Sequence, residues 1–139
     1  MRMSKLLLLF LLSGILFNCQ GQNLENTQKV TAIDDQVVYE VIPVSDFKQK
    51  IEASTVQLLD VRTPKEYDGG HIMEAVNVNY FDSTFVKMVQ AKFNPDEALY
   101  LYCRSGKRSA KSSKLLQEAG FKKVYDLKGG YLAWSAENK

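Results

Sequence analysis

Histidine and cysteine are the scarce residues of this 139-residue chain: one histidine, His71, and two cysteines, Cys19 and Cys103. No cluster of His, Cys and carboxylates has metal-ligand spacing, so no metal is expected. A disulfide framework is excluded, since two cysteines close one bridge at most. No apolar run is long enough for a stable membrane span. No internal repeat or low-complexity tract occurs. A surplus of charge is missing too. Of the 18 basic residues, Arg2 and Lys5 lie in the first eighteen, which hold no acid. The rest of the chain therefore carries as many cations as anions, 16 of each, which gives no reason to expect nucleic-acid binding. The full chain is 45% hydrophobic and 11% aromatic, enough to pack one globular core.

The N-terminus, "MRMSKLLLLFLLSGILFNCQGQ", has a positive n-region, an apolar h-region over Leu6–Leu12 and small polar punctuation at Ser13 and Gly14. That is the pattern of a signal peptide, residues 1–18. The cysteine after Leu16-Phe17-Asn18 resembles a bacterial lipobox, with Asn18 where Gly or Ala is usual. The resemblance implies a diacylated Cys19 as first mature residue, an exported, periplasm-facing protein held on a membrane by its lipid, and, from Gln20, the outer membrane. A plain secreted protein with an incidental Cys19, or a Cys19–Cys103 disulfide, are the alternatives. Residues 19–36 are polar, lack periodicity and read as a tether.

From Val37 onward apolar runs alternate with helical stretches. Strands are expected over 37–42, 56–61, 75–78, 98–103 and 123–127. Helices are expected over 45–52 (with Ser45 as N-cap), 64–70, 83–93, 107–120 and 130–137. Such alternation predicts an α/β domain over 37–139: a central, mostly parallel five-stranded sheet with helices on both faces. Ligands collect at the carboxyl ends of strands in such sheets, and Cys103 sits at one of those ends.

The segment "LYCRSGKRSAKSS" runs from that strand through a loop into a helix. Gly106 permits a sharp turn in which successive N–H groups form an anion-binding nest. The helix directs its positive end to the same spot, and Arg104, Lys107 and Arg108 add cations. Together these favour a thiolate over a thiol, so Cys103, at the mouth of the loop, reads as a nucleophile. The plain alternative is a buried cysteine beside a solvated basic face. His71 invites a Cys–His dyad.

From about Val44 to Glu137 the chain resembles a single-domain rhodanese, a sulfurtransferase. "LLDVRTPKEYDGGHIMEAVNV" and "LYCRSGKRSAKSSKLLQEAGFKKVYDLKGGYLAW" are similar to that family's two signature segments, in its order. Met73-Glu74 stands where the family commonly has Pro-Gly. The resemblance implies that Cys103 accepts sulfane sulfur as a persulfide and that the amides of Arg104, Ser105, Gly106, Lys107, Arg108 and Ser109 cradle it. It also implies that Arg104, Lys107 and Arg108 bind the anionic donor. Arg62 would either face the same pocket or serve as a structural ion-pair partner, and Asp60 would order the loop. His71 falls in a structural turn, and Glu66, Tyr67, Tyr131 and Trp134 pack or cap. No dedicated cofactor is implied, because the cysteine carries the group. The partners are a small-molecule or protein sulfur donor and a thiol or cyanide acceptor, and a monomer suffices. A dual-specificity phosphatase shares the fold but uses Cys-x5-Arg, whereas Cys103–Arg108 is Cys-x4-Arg. A membrane-tethered, non-catalytic binding or redox-sensing module is the other alternative.

Overall fold

The computed structural model describes residues 36–138. The signal peptide, Cys19 and nearly all of the tether lie outside the described residues. Among the described residues no helix is long and apolar enough to cross a membrane.

Ten elements follow in strict alternation: β1 (Val38–Ile42), α1 (Val44–Ala53), β2 (Gln57–Asp60), α2 (Pro64–Asp68), β3 (Val76–Asn77), α3 (Phe85–Lys92), β4 (Ala98–Tyr102), α4 (Lys107–Glu118), β5 (Lys123–Leu127) and α5 (Gly130–Glu137). The strands form one sheet in the order β1-β5-β4-β2-β3. Every pairing is parallel, so the expected mostly parallel sheet is parallel throughout.

Alternation along the central strands sends side chains to two cores. On one face Leu59, Leu99, Leu101, Cys103 and Val124 pack with Phe85 and Val89 of α3 and Leu116 of α4. On the other, Leu58, Tyr100, Tyr102 and Leu127 meet Phe47 and Ile51 of α1, with Tyr67, Tyr131 and Trp134 packed alongside. Helices therefore cover both faces, and the central strands are apolar on both sides, as parallel sheets require.

One cap differs from expectation. The residue preceding α1 is Pro43, with no side-chain cap, because the helix begins one residue early at buried Val44. The Ser45 hydroxyl turns instead to Asp46, 3.0 Å away.

The chain leaves β4 for α4 on one face and β2 for α2 on the other. Adjacent strands whose connections diverge leave a crevice beyond their carboxyl ends. Asp60, Arg62 and Cys103 all stand there.

Candidate active site

Cys103 follows the last residue of β4, and Gly106 makes the turn into α4 with φ +96°, a left-handed conformation that suits glycine. The turn brings the Gly106 N–H back onto the cysteine sulfur, donating to Sγ at 3.1 Å.

Helix α5 holds the loop from the other side. Its first amides take up the two carbonyls that begin the loop: Tyr131 N–H donates to Cys103 C=O at 2.8 Å and Leu132 N–H to Arg104 C=O at 3.0 Å. A trans peptide places its N–H opposite its C=O, so the amides of Arg104 and Ser105 face away from α5, into the loop. The approach is close enough to demand Gly130, since a Cβ there would lie 2.8 Å from the Arg104 carbonyl carbon and oxygen.

In the first turn of α4, the earliest helical N–H to find a backbone carbonyl is that of Ala110, which donates to Gly106 at 3.1 Å. The amides of Arg104, Ser105, Lys107, Arg108 and Ser109 have no hydrogen-bond acceptor among the described residues. Five unspent donors in the loop that begins at Cys103 and in the first turn of a twelve-residue helix favour negative charge at that end.

The sulfur itself is less open than a thiol at the mouth of a loop. Cys103 is a free cysteine, 1% exposed. It lies on the floor of the loop, packed into the α4-side core, with exposed Arg104, Ser105 and Lys107 above it.

The candidate cations divide into two kinds. Arg104 and Lys107 are exposed and make no ion pair among the described residues. Arg108 is bound end-on by Glu66, with Nη1 to Oε2 at 2.7 Å and Nη2 to Oε1 at 2.6 Å. The Arg108 hydrogen bonds, joined by those from Thr63, hold the Glu66 carboxyl down at about 2. Arg108 remains within electrostatic reach of Cys103, but its hydrogen-bonding edge is already committed. Glu66 also closes a capping box with Thr63 at the start of α2. That box is readable as Thr-x-x-Glu in the sequence; the bridge to a residue 42 positions away is not.

Arg62 is an ion-pair partner. It is 3% exposed; its Nε and Nη2 bond Asp60, Nη2 also donates to the Gly70 carbonyl at 2.7 Å, and its guanidinium lies over the Tyr131 ring at 4.1 Å. Asp60 in turn accepts the Arg62 backbone N–H. The pair fixes the end of β2. His71 is exposed and stacks on Tyr67 with ring centroids 3.9 Å apart, as a turn residue does, and makes no bond to Cys103. The Ser109 side chain is buried and donates to the Gly106 carbonyl at 3.1 Å, so it shapes the loop. Among the described residues no group of His, Cys, Asp and Glu could hold a metal.

The Rhodanese-like domain family matches residues 43–137. The chain belongs to the rhodanese-like family. Thiosulfate sulfurtransferase 18 of Arabidopsis thaliana is 38% identical over 104 residues, 67% of this chain and 76% of that protein. Uncharacterized protein YqhL of Bacillus subtilis is 36% identical over 83 residues, 60% of this chain and 64% of that protein. The solution structure of the rhodanese-like domain of Anabaena Alr3790 superposes with a TM-score of 0.65 at 28% identity, covering 72% of this chain and 76% of that one. A sulfurtransferase-like enzyme is thereby supported at the level of the family.

Proposed function

We propose that this rhodanese-like protein is a sulfurtransferase working through a persulfide on Cys103. The observation that carries the reading is a free thiol that accepts the Gly106 N–H at 3.1 Å and heads a loop with five further unpaired amides. Such a loop stabilises an anion one or two atoms across, whether thiolate or terminal persulfide sulfur.

The chemistry needs two displacements at sulfur. The Cys103 thiolate attacks the outer sulfur of thiosulfate; the bond to the sulfonate sulfur breaks, and sulfite leaves with the bonding pair. The outer sulfur stays on Cys103 as a persulfide anion among the amides. A thiol or cyanide then attacks that sulfur, and the cysteine leaves as thiolate, closing a ping-pong cycle. Arg104 and Lys107, exposed and unpaired, attract the dianionic donor, while Arg108 contributes through its field. The measurement is sulfite release from thiosulfate in the presence of cyanide, with thiocyanate as the second product. Release that persists in Cys103→Ser, or that is absent from the native protein with every sulfane donor, contradicts the reading.

A non-catalytic binding or redox-sensing module is the second reading, and the 1% exposure of Cys103 favours its binding form, since a sensing thiol is solvent-accessible. It predicts a cysteine that oxidises or binds anions without passing sulfur on.

We further propose that the signal-like N-terminus exports the protein and that a lipid on Cys19 holds it on a membrane surface facing an oxidising compartment. Incorporation of labelled palmitate, lost in Cys19→Ser, tests that placement.

A further inference from the structure

Among the described residues Asp126 is the one buried carboxyl on the α4 side of the sheet, and the transfer scheme above does not use it. On β5 it points to the same face as Val124, two residues earlier. Its registry partner on β4 is Leu101, and Cys103 is the next residue along β4 on that face, in the same core cluster. Asp126 is 2% exposed. Its Oδ2 accepts from the Tyr39 hydroxyl at 3.4 Å, and its Oδ1 has no partner. A buried carboxyl with an orphaned oxygen is costly to keep, and this one adjoins the helix that opens with the sulfur loop.

The groups facing it are few. From β1 comes Tyr39, which itself meets Ser113 of α4; from α4 comes Ser109; from β4 comes Leu101. None is a cation. Ser113 spends its proton on the Ser109 carbonyl at 2.9 Å. The Ser109 hydroxyl donates to the Gly106 carbonyl and makes no hydrogen bond to Asp126 in this state, though it lies near enough to favour the ionised carboxyl. A hydroxyl has one proton to give. A protonated Asp126 can donate to the Ser109 oxygen, leaving the Ser109 proton on Gly106. An ionised Asp126 is acceptor-only and competes with Gly106 for that proton.

We propose that Asp126 is a positioning residue for the sulfur loop: its ionisation draws the Ser109 proton off the Gly106 carbonyl and slackens the turn that sets the Gly106 amide against the Cys103 sulfur. The Ala110 N–H keeps its own bond to that carbonyl, so the turn loosens without unfolding. A buried negative charge one residue pair from Cys103 also disfavours anionic sulfur, in the same direction. Burial, outweighing the Ser109 and Tyr39 hydroxyls, pushes the Asp126 carboxyl up to about 7, where a small pH change alters its state. The loop is accordingly tight below neutrality and slack above it. As a contribution to sulfur transfer, this inference rests on the persulfide reading; its effect on the thiol does not.

Two rates followed from pH 5.5 to 8.5 test it: alkylation of Cys103 by iodoacetamide, and sulfur loading from thiosulfate. The native protein is compared with Asp126→Asn, which cannot ionise, and with Ser109→Ala, which has no proton to lose. Relative to Asp126→Asn, the native protein should fall behind by about tenfold between the ends of the range, with a break near neutrality. Ser109→Ala should lack most of that break, and it carries the test if Asp126→Asn does not fold. Parallel profiles for native protein and variants overturn the inference. Native protein that shows the break in alkylation but takes no sulfur overturns the transfer reading and leaves the Asp126 inference standing.

Discussion

The backbone N–H of Tyr131 donates to the carbonyl of Cys103 at 2.8 Å, tying the first turn of α5 to the residue that bears the thiol. This contact explains why Gly129-Gly130 opens the last helix. At Gly130, φ is +60° and the Arg104 carbonyl occupies the space a side chain needs. Gly130→Ala should push the loop off α5, lowering sulfur transfer by about 100-fold and stability by about 1–3 kcal/mol. Turnover and chemical denaturation check the two parts, and an alanine variant with native turnover contradicts the anchoring role of α5.

Arg62 offers a sharper separation of structure from binding. Its pair with Asp60 is buried on both sides, at 3% and 0% exposure. Arg62→Lys keeps the charge but loses the two-pronged bond, so stability should drop by about 1–3 kcal/mol. KM for thiosulfate should stay within about twofold of native, as expected where binding is untouched. A raised KM with unchanged stability returns Arg62 to the donor site.

The Glu66–Arg108 bridge sets an acid limit. The Glu66 carboxyl lies at about 2 in the folded protein against 4.5 for the free side chain. A depressed carboxyl contributes stability that is whole above pH 4.5 and is lost as pH falls toward 2. The side chains are 18% and 28% exposed, so solvent screening keeps the effect near 1 kcal/mol. Urea midpoints between pH 2.5 and 6 should fall more steeply for native protein than for Glu66→Gln. Equal slopes contradict the assignment.

Met73 is the sole non-glycine residue with positive φ among the described residues, at +41°. It is 48% exposed, so little packing is lost on truncation. Met73→Gly should be neutral or stabilising by up to about 1 kcal/mol, read as a shift in thermal midpoint; a clear loss contradicts the strain.

Elements with both a periodic core and a glycine boundary were legible in the sequence. β5 and α5 match their expected spans, and α4 stops two residues before Gly120. Short-range polar chemistry was less so. Ser45 has two local partners to choose from, and which it takes depends on where buried Val44 starts the helix. The loop, its glycine turn and its cysteine were readable because all lie within seven residues. The Glu66–Arg108 bond and the α5 contacts join segments far apart in sequence, and nothing local encodes them. Asp126 did leave a trace: in "KVYDL" a carboxyl occupies an inward position two residues from Val124. Only the sheet order, with β5 between β1 and β4, shows that this position is closed on both sides.

The most direct measurement is the intact mass of the protein after incubation with thiosulfate and removal of excess donor. A free thiol heading a loop of unpaired amides predicts a gain of about 32 Da, one sulfur atom, located by peptide mapping on Cys103 and released by cyanide. A mass that stays unchanged with thiosulfate and with every other sulfane donor, or a gain that survives in Cys103→Ser, contradicts the account.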